Sequence, residues 1–443
     1  MNPDPTPAGY TRLSPSLETV CHSPWTGSAC PATDWHVPGM WVMLEARCPD
    51  TGRVFLTDVP YGLPLLGAAT IDVAVRQVLP GDAPEWYRTH TEREFRNQSE
   101  GRIELAVTRR RIARRIVLIN ACGPYFGDCA SLILRIAPLK DCGLDVVVLA
   151  PANVSNLIPD WVAETWEIPG PAGVDLSARW HGSLAREIKR LVAGAEACYV
   201  PHLFQPAAMP RTAMAEFTRV PAFDRARWTT QPYTVGFLWR SNRLFPPERT
   251  LPAQWARRMR RLGLGGLAGV AEKWLERRAL ARHISYIQAF DRRLRRLLPS
   301  ARTRIIGVGR GGRFGPPIRD LRAGQFSTEA DRRTMQSASE CHVLVSAHGS
   351  QLVPFSGLPG ALVQMFPDNK WLNFNDAVVL TDSDPGEAVV VQRSLSSSTP
   401  VGALVAVVHS LLVGYPLYHL AYHRRYAGPL ALERIAEMRR QFK

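Results

Sequence analysis

From Arg115 onward the chain alternates short apolar runs with longer stretches of helical periodicity. Ile116–Asn120 has the length and composition of a buried parallel strand. Gly123–Pro124 then turns the chain, and Asp128–Lys140 follows with helical spacing. Asp145–Ala150, Thr165–Ile168 and Ala197–Val200 are further strand-like runs, with a helix expected over Leu176–Val192. Strands alternating with helices indicate βαβ units and a parallel sheet. Pro201–Gln231 breaks this rhythm with prolines and scattered charge. A second alternation follows. It predicts strand Thr234–Trp239, helices across Pro252–Leu262 and Ala271–Leu298, strand Thr303–Val308 and helix Thr328–Ser339. Strand His342–Ala347, a short helix from Ser350 and strand Ala361–Phe366 complete it, and Val401–Leu412 and Leu430–Lys443 read as terminal helices.

The residues before Arg115 carry no such alternation. They are rich in Pro, Ser, Thr and Gly, and read as an irregular segment with short strands at Val42–Ala46, Arg53–Thr57 and Arg102–Val107. The expected fold class is therefore α/β, with two Rossmann-like domains facing a cleft. The divisions are an irregular N-terminal segment (1–110), an α/β domain (111–205), a linker (206–231), a second α/β domain (232–390) and C-terminal helices (391–443). A chain of 443 residues is long enough for two cores.

Charge adds a partner class. Lys+Arg 54 against Asp+Glu 39 leaves +15, nearly all of it arginine. Arginine grips phosphate bidentately, so anionic partners are expected: a nucleotide, a nucleic acid or an anionic membrane surface. An arginine-favouring genome explains the same bias. The first fifteen residues lack a basic start and an apolar run, and Val401–Gly414 is too short to span a bilayer. The expected location is cytoplasmic or at a membrane periphery, or a secretory-pathway lumen if an anchor lies outside this chain. No Cys/His spacing matches a zinc site. Cys21, Cys30 and Cys48 lie in the loop-rich N-terminal segment and pair only in an oxidising compartment.

Candidate chemistry gathers at strand ends in the second half. Cys341–Leu352 runs from an apolar strand through His348, Gly349 and Ser350 into an expected helix N-terminus. Ligands of open α/β sheets bind beyond the carboxyl ends of strands. Free N–H groups at a helix start attract an anion, and Ser350 suits an N-cap. The same pattern also describes an ordinary strand-to-helix turn with a structurally satisfied histidine. Val235–Arg243 ends in Arg240, Asn242 and Arg243, a set that fits a pyrophosphate. Gly307–Arg313 adds Gly309 and Arg310 on a glycine-rich loop, with Arg313 read as a solvated side chain.

The order of these features resembles the catalytic domain of family 61 glycosyltransferases over Val235–Pro367, about a third of the chain. The shared parts are the arginine-tipped strand (Phe237 to Arg243), the strand before His348–Gly349, and the turn at Pro359–Gly360 before a final strand. The family commonly reads Gly-Ala-Gly-Leu after the histidine, where this chain has Gly349-Ser350-Gln351-Leu352. In the N-terminal domain Asn120, Tyr125-Phe126 and Asp128 stand in comparable places, without the family's usual histidine. The resemblance implies a GT-B-like transferase moving sugar from a nucleotide-sugar to a glycan or glycoprotein acceptor. His348 and Asp128 would be its catalytic residues, and Arg240, Asn242, Arg243, Gly309, Arg310, His348, Gly349 and Ser350 would hold the donor. No cofactor or divalent metal is expected.

Other readings stay open. Asp128 also suits a helix N-cap. Asp382-Ser383-Asp384 suits a metal-bridged diphosphate or, before Pro385-Gly386, a plain turn. The arginine-rich stretches Arg257–Arg261 and Arg292–Arg296 suit a non-enzymatic basic module on nucleic acid or an anionic membrane. Without RNP signature, fingers or interleaved stacking aromatics, nucleic acid is the weaker partner.

Overall fold

The computed structural model describes residues 6–59, 68–81, 83–99, 101–170, 173–201, 211–224, 227–240, 244–245, 258, 265–309, 311–325, 327–347, 349, 355, 357–366 and 391–426. They form an α/β protein that divides into two compact units, Met1–Ala207 and Ala208–Lys443.

The N-terminal unit opens on β1 (Tyr10–Ser14) and then builds a six-stranded antiparallel meander. Its strands, in chain order, are β2 (Val20–His22), β3 (Ala29–His36), β4 (Met43–Arg47), β5 (Val54–Asp58), β6 (Thr70–Asp72) and β7 (Gln77–Val78). The short strands expected at Val42–Ala46 and Arg53–Thr57 are β4 and β5, and the irregular structure expected around them is corrected to a continuous meander. On β3 the inward face is carried by Cys30, Ala32 and Trp35, so its alternation rests on small side chains. α1 (Glu85–Arg96) follows and buries Tyr87, Thr91 and Phe95, one face at helical spacing. Trp41 Nε1 donates to Thr91 Oγ1 at 3.0 Å, fastening that helix to the meander.

The second sheet of this unit uses β8 (Ala106–Arg109), β9 (Arg115–Asn120), β10 (Asp145–Pro151), β11 (Glu164–Ile168) and β12 (Ala197–Pro201) with β1. Their order is β1-β12-β9-β10-β11-β8, four parallel central strands between antiparallel edges. Every residue from Ile116 to Asn120 is buried, as a parallel strand covered on both faces requires. α2 (Phe126–Leu134) stops earlier than expected, because Pro138 confines Ala137–Leu139 to a 3₁₀ turn. The helix expected over Leu176–Val192 is two, α3 (Gly173–Ser177) and α4 (Gly182–Val192). Between them His181 is extended, and its N–H is held by Pro38 O at 2.7 Å.

In the C-terminal unit α5 (Arg211–Thr218) occupies the span read as linker. β13 (Thr234–Trp239) leads to α6 (Gly265–Leu297), β14 (Arg302–Gly307) and β15 (Arg319–Asp320). α7 (Thr328–Ser339), β16 (Val343–Ala347), β17 (Ala361–Phe366), β18 (Val391–Ser396) and α8 (Val401–Tyr426) complete it. Ser327 caps α7, its Oγ accepting from Ala330 N at 3.0 Å. The six strands are all parallel, in the order β15-β14-β13-β16-β17-β18. β18 corrects the expectation that only helices follow residue 390. Ile287, Phe290 and Leu294 of α6 and Leu404, Val408 and Leu411 of α8 pack on Val235, Phe237, Val345 and Val363 of the sheet. Each such side chain contributes about 1.5–3 kcal/mol by leaving water. Leu297, the last residue of α6, is exposed. The helices expected over Pro252–Leu262 and Leu430–Lys443, and the one from Ser350, lie outside the described residues apart from Arg258, which is helical.

Candidate functional site

Strand order defines where this sheet offers a site. From β13 the chain steps outward to β14 and β15, then returns to the other side of β13 with β16, β17 and β18. The direction reverses between β13 and β16, and at such a point the connections diverge and leave room beyond the carboxyl ends. β13 ends at Trp239 and is followed by Arg240; β16 ends at Ala347 and is followed by His348 and Gly349.

Arg240 is buried, 6% exposed, and lies against the second of these turns. A Cβ at Gly349 would lie 2.9 Å from Arg240 Cζ and 3.0 Å from Nη2. Gly349 also has φ +154°, a conformation side chains rarely adopt, so glycine is needed for both backbone and neighbour. The two segments singled out in the sequence are therefore in direct contact. A guanidinium, always charged, is held at the reversal of a parallel sheet on a turn with an open backbone.

Trp239 anchors the neighbouring loop. Its ring meets His283 (5.2 Å) and Phe314 (5.7 Å), and the Arg322 guanidinium stacks over it at 4.4 Å. Arg322 also donates to Gly311 O (2.6 Å), Gly312 O (3.1 Å) and both oxygens of Asp320 (2.8 and 2.7 Å). The Arg322 bonds hold the Asp320 carboxyl below its usual range. Gly309, with φ +115°, donates its N–H to Ala323 O at 2.9 Å, and a Cβ there would stand 3.9 Å from Trp239 Nε1. The 308–323 loop is thus folded onto the strand end through backbone carbonyls. Sequence reasoning missed Arg322 because Arg319-Asp320-Leu321-Arg322 has the appearance of any polar surface turn. Burial, helped by the Arg322 charge, lowers the His283 pKa to about 4 against a raising hydrogen bond to Phe245 O at 2.6 Å.

Of the expected donor-binding set, Arg240, Gly309 and Gly349 are described, and Arg240 and Gly349 are brought together. Asn242, Arg243, Arg310, His348 and Ser350 lie outside the described residues, as do Asp382, Ser383 and Asp384. Arg313 is exposed. His342, one residue before β16, is a structural histidine. Its Nδ1 accepts from Thr234 N at 3.1 Å, its Nε2 donates to Arg227 O at 3.2 Å, and burial lowers its pKa. The turn at Pro359–Gly360 is tied by Gly360 N to Cys341 O at 3.0 Å.

In the N-terminal unit Asp128 lies in the first turn of α2 and is half-buried. The N-cap position belongs to Tyr125, whose side chain makes no cap bond, so Asp128 is not the cap. It places a negative charge near the positive end of the helix dipole. Asn120 is structural, since Nδ2 donates to Gly39 O (2.8 Å) and Trp41 O (3.3 Å), and Oδ1 accepts from Cys122 N (3.2 Å). Among the described residues the grouping of potential metal ligands is Asp34, His36 and Glu45, where Lys189 Nζ already meets both Asp34 oxygens at 2.7 and 2.6 Å. No helix among the described residues is long and apolar enough to cross a membrane.

Fold and site together define an α/β protein with an arginine at the strand-order reversal of an all-parallel sheet. No family model matches the chain, and no curated protein or solved structure matches it either.

Proposed function

We propose that the protein is a metal-independent glycosyltransferase that takes its sugar from a nucleotide-linked donor. The observation that carries this reading is the contact of the Arg240 guanidinium with the Gly349 turn, at the reversal of a sheet ordered as nucleotide-binding sheets are. A diphosphate seated there would meet fixed positive charge and open backbone. Asn242, Arg243 and Arg310 would extend the grip, and His348 and Ser350 would contact the phosphates or ribose. Charge that develops on the departing nucleoside diphosphate would be stabilised by these arginines, the role a divalent ion takes in metal-dependent enzymes. The finer architecture in this proposal is GT-B-like, with two Rossmann-like domains. The N-terminal one presents a glycan or glycoprotein acceptor, and Asp128 acts as general base on the acceptor hydroxyl.

The test is thermal unfolding with a panel of nucleoside diphosphates and nucleotide-sugars in the presence of a chelator. At a hundredfold excess over Kd, binding stabilises by about 2.7 kcal/mol. A shift without metal, and loss of sugar transfer in His348→Ala with its unfolding temperature preserved, are the expected results. A shift seen only with manganese would move the site to Asp382 and Asp384. Steeply salt-dependent nucleic-acid binding without any nucleotide effect would replace the enzyme reading with that of a basic module.

A further inference from the structure

The first two hairpins of the N-terminal unit bring together three thiols that the transferase reading leaves unused. Cys21 of β2 and Cys30 of β3 are paired directly across the sheet, and Cys48 follows β4 at the start of the next hairpin. Cys48 Sγ accepts the Ser23 hydroxyl at 3.2 Å, and Thr26 Oγ1 lies 3.7 Å away. Thr51 stands in the same turn, which Gly52 N closes by donating to Cys48 O at 2.9 Å. Cys30 stands two residues before Ala32 and Cys48 two after Ala46, the partner of Ala32 across β3 and β4, and the Cys30 S–H donates to Ser28 O at 3.2 Å.

We propose that Cys48 is an oxidant-sensitive thiol and that Cys30 is its resolving partner. A sulfur surrounded by several O–H and N–H donors is stabilised as the thiolate, the form that reacts. Burial raises the Cys48 pKa, but the bonds from Ser23, Thr51 and Thr26 outweigh it and bring the group to about 6. Neighbouring Cys30 goes the other way, pushed up mainly by burial and by the negative charge of Cys48. One thiol is therefore the nucleophile, and the other keeps its proton until it is needed. Cys48 is covered by only one layer of chain, since Thr26, Gly27, Pro49, Asp50 and Thr51 are all exposed.

The oxidant is a peroxide. The Cys48 thiolate attacks one oxygen, the O–O bond breaks, and sulfenic acid and hydroxide form. Cys30 sulfur then attacks Cys48 Sγ, the S–O bond breaks, and the leaving hydroxide takes the Cys30 proton as water. Two thiols are oxidised to one disulfide, and one peroxide is reduced to two waters, counting the proton the first hydroxide takes from solvent. A dithiol reverses the step by exchange.

The experiment uses the full chain treated with a small excess of hydrogen peroxide at neutral pH, followed by alkylation, digestion without reductant and peptide mass spectrometry. A Cys30–Cys48 linked peptide is expected, with the loss of two of the eight thiols and their recovery under dithiothreitol. In Cys30→Ser, dimedone should trap the sulfenic acid on Cys48. Mapping the wild-type chain needs no variant to fold. Eight unmodified thiols, a Cys21–Cys30 link in place of Cys30–Cys48, or oxidation of the more exposed Cys142 ahead of Cys48 would each overturn the proposal. None of these outcomes depends on nucleotide binding.

Discussion

Both units contain a parallel sheet whose strand order reverses, and the two reversals are used differently. In the N-terminal unit the reversal lies between β9 and β12, and the polar residue ending β9, Asn120, has both halves of its amide engaged by the chain's own backbone. In the C-terminal unit it lies between β13 and β16, and an arginine rests on a glycine turn there. A strand-order reversal makes room for a ligand, but what the strand-end residues do decides whether the room becomes a site. Asn120 joins the meander to the sheet; Arg240 brings charge to a turn.

The largest effect that would break this contrast is Asn120→Ala. It strands the Gly39 and Trp41 carbonyls and the Cys122 N–H, all taken up by Asn120, at about 1–3 kcal/mol each. A loss of about 5 kcal/mol in denaturant unfolding is expected. A variant as stable as wild type would show that Asn120 is not spent on structure.

Two buried groups, one in each unit, respond to pH with opposite sign. Asp58, fully buried at the end of β5, accepts from Tyr87 Oη (2.9 Å) and Ala69 N (3.0 Å) through Oδ2, while Oδ1 has no partner among the described residues. Burial outweighs those bonds and raises its pKa to about 7. An acid with a raised folded pKa contributes stability that is complete below its unfolded value near 4 and lost as pH rises through 7. Three pH units correspond to about 4 kcal/mol. Urea unfolding of Asp58→Asn should lack this decline, matching wild type in acid and exceeding it at pH 8. A parallel decline in both proteins would remove Asp58 as its source.

His283 of the C-terminal unit reverses the sign. Its folded pKa of about 4 lies below the unfolded value near 6.5. Its contribution is therefore complete above 6.5 and lost as pH falls toward 4, by about 3 kcal/mol. His283→Gln should lessen the fall on that acid limb by about this amount without touching the alkaline one. If it alters the alkaline limb as well, the assignment of opposite responses to Asp58 and His283 fails.

The two regions were unequally legible for physical reasons. Thr234–Trp239, Thr328–Ser339 and Ala361–Phe366 match their expected bounds, because buried parallel strands are continuously apolar and the cap at Ser327 marks its helix. Of the meander, β4 and β5 fall on the strands expected at Val42–Ala46 and Arg53–Thr57, while β3 does not read as a strand, since it includes Pro31 and fills its inner face with Cys30 and Ala32 beside Trp35. The meeting of Arg240 and Gly349 followed from reading each as a strand end. Arg322 did not, because its partners are backbone carbonyls and a ring that only the fold brings near.

The smallest expected effect separates the two reversals most sharply. Gly123, in the turn after β9, and Gly349, in the turn after β16, each follow a strand that flanks the reversal of its sheet. In Gly123→Ala the new methyl would stand 3.1 Å from Asp128 Cβ and 3.5 Å from Cys129 Sγ, a crowding that is felt as stability. In Gly349→Ala it would stand 2.9 Å from Arg240 Cζ and force the guanidinium off the turn. Losing a contact of about 1.4 kcal/mol weakens binding about tenfold. Calorimetric titration with a nucleoside diphosphate should show that loss for Gly349→Ala and an unchanged Kd for Gly123→Ala. Equal loss in both would mean that affinity merely follows stability. No loss in Gly349→Ala would mean that the diphosphate does not sit at the β13–β16 reversal, whatever else the protein binds.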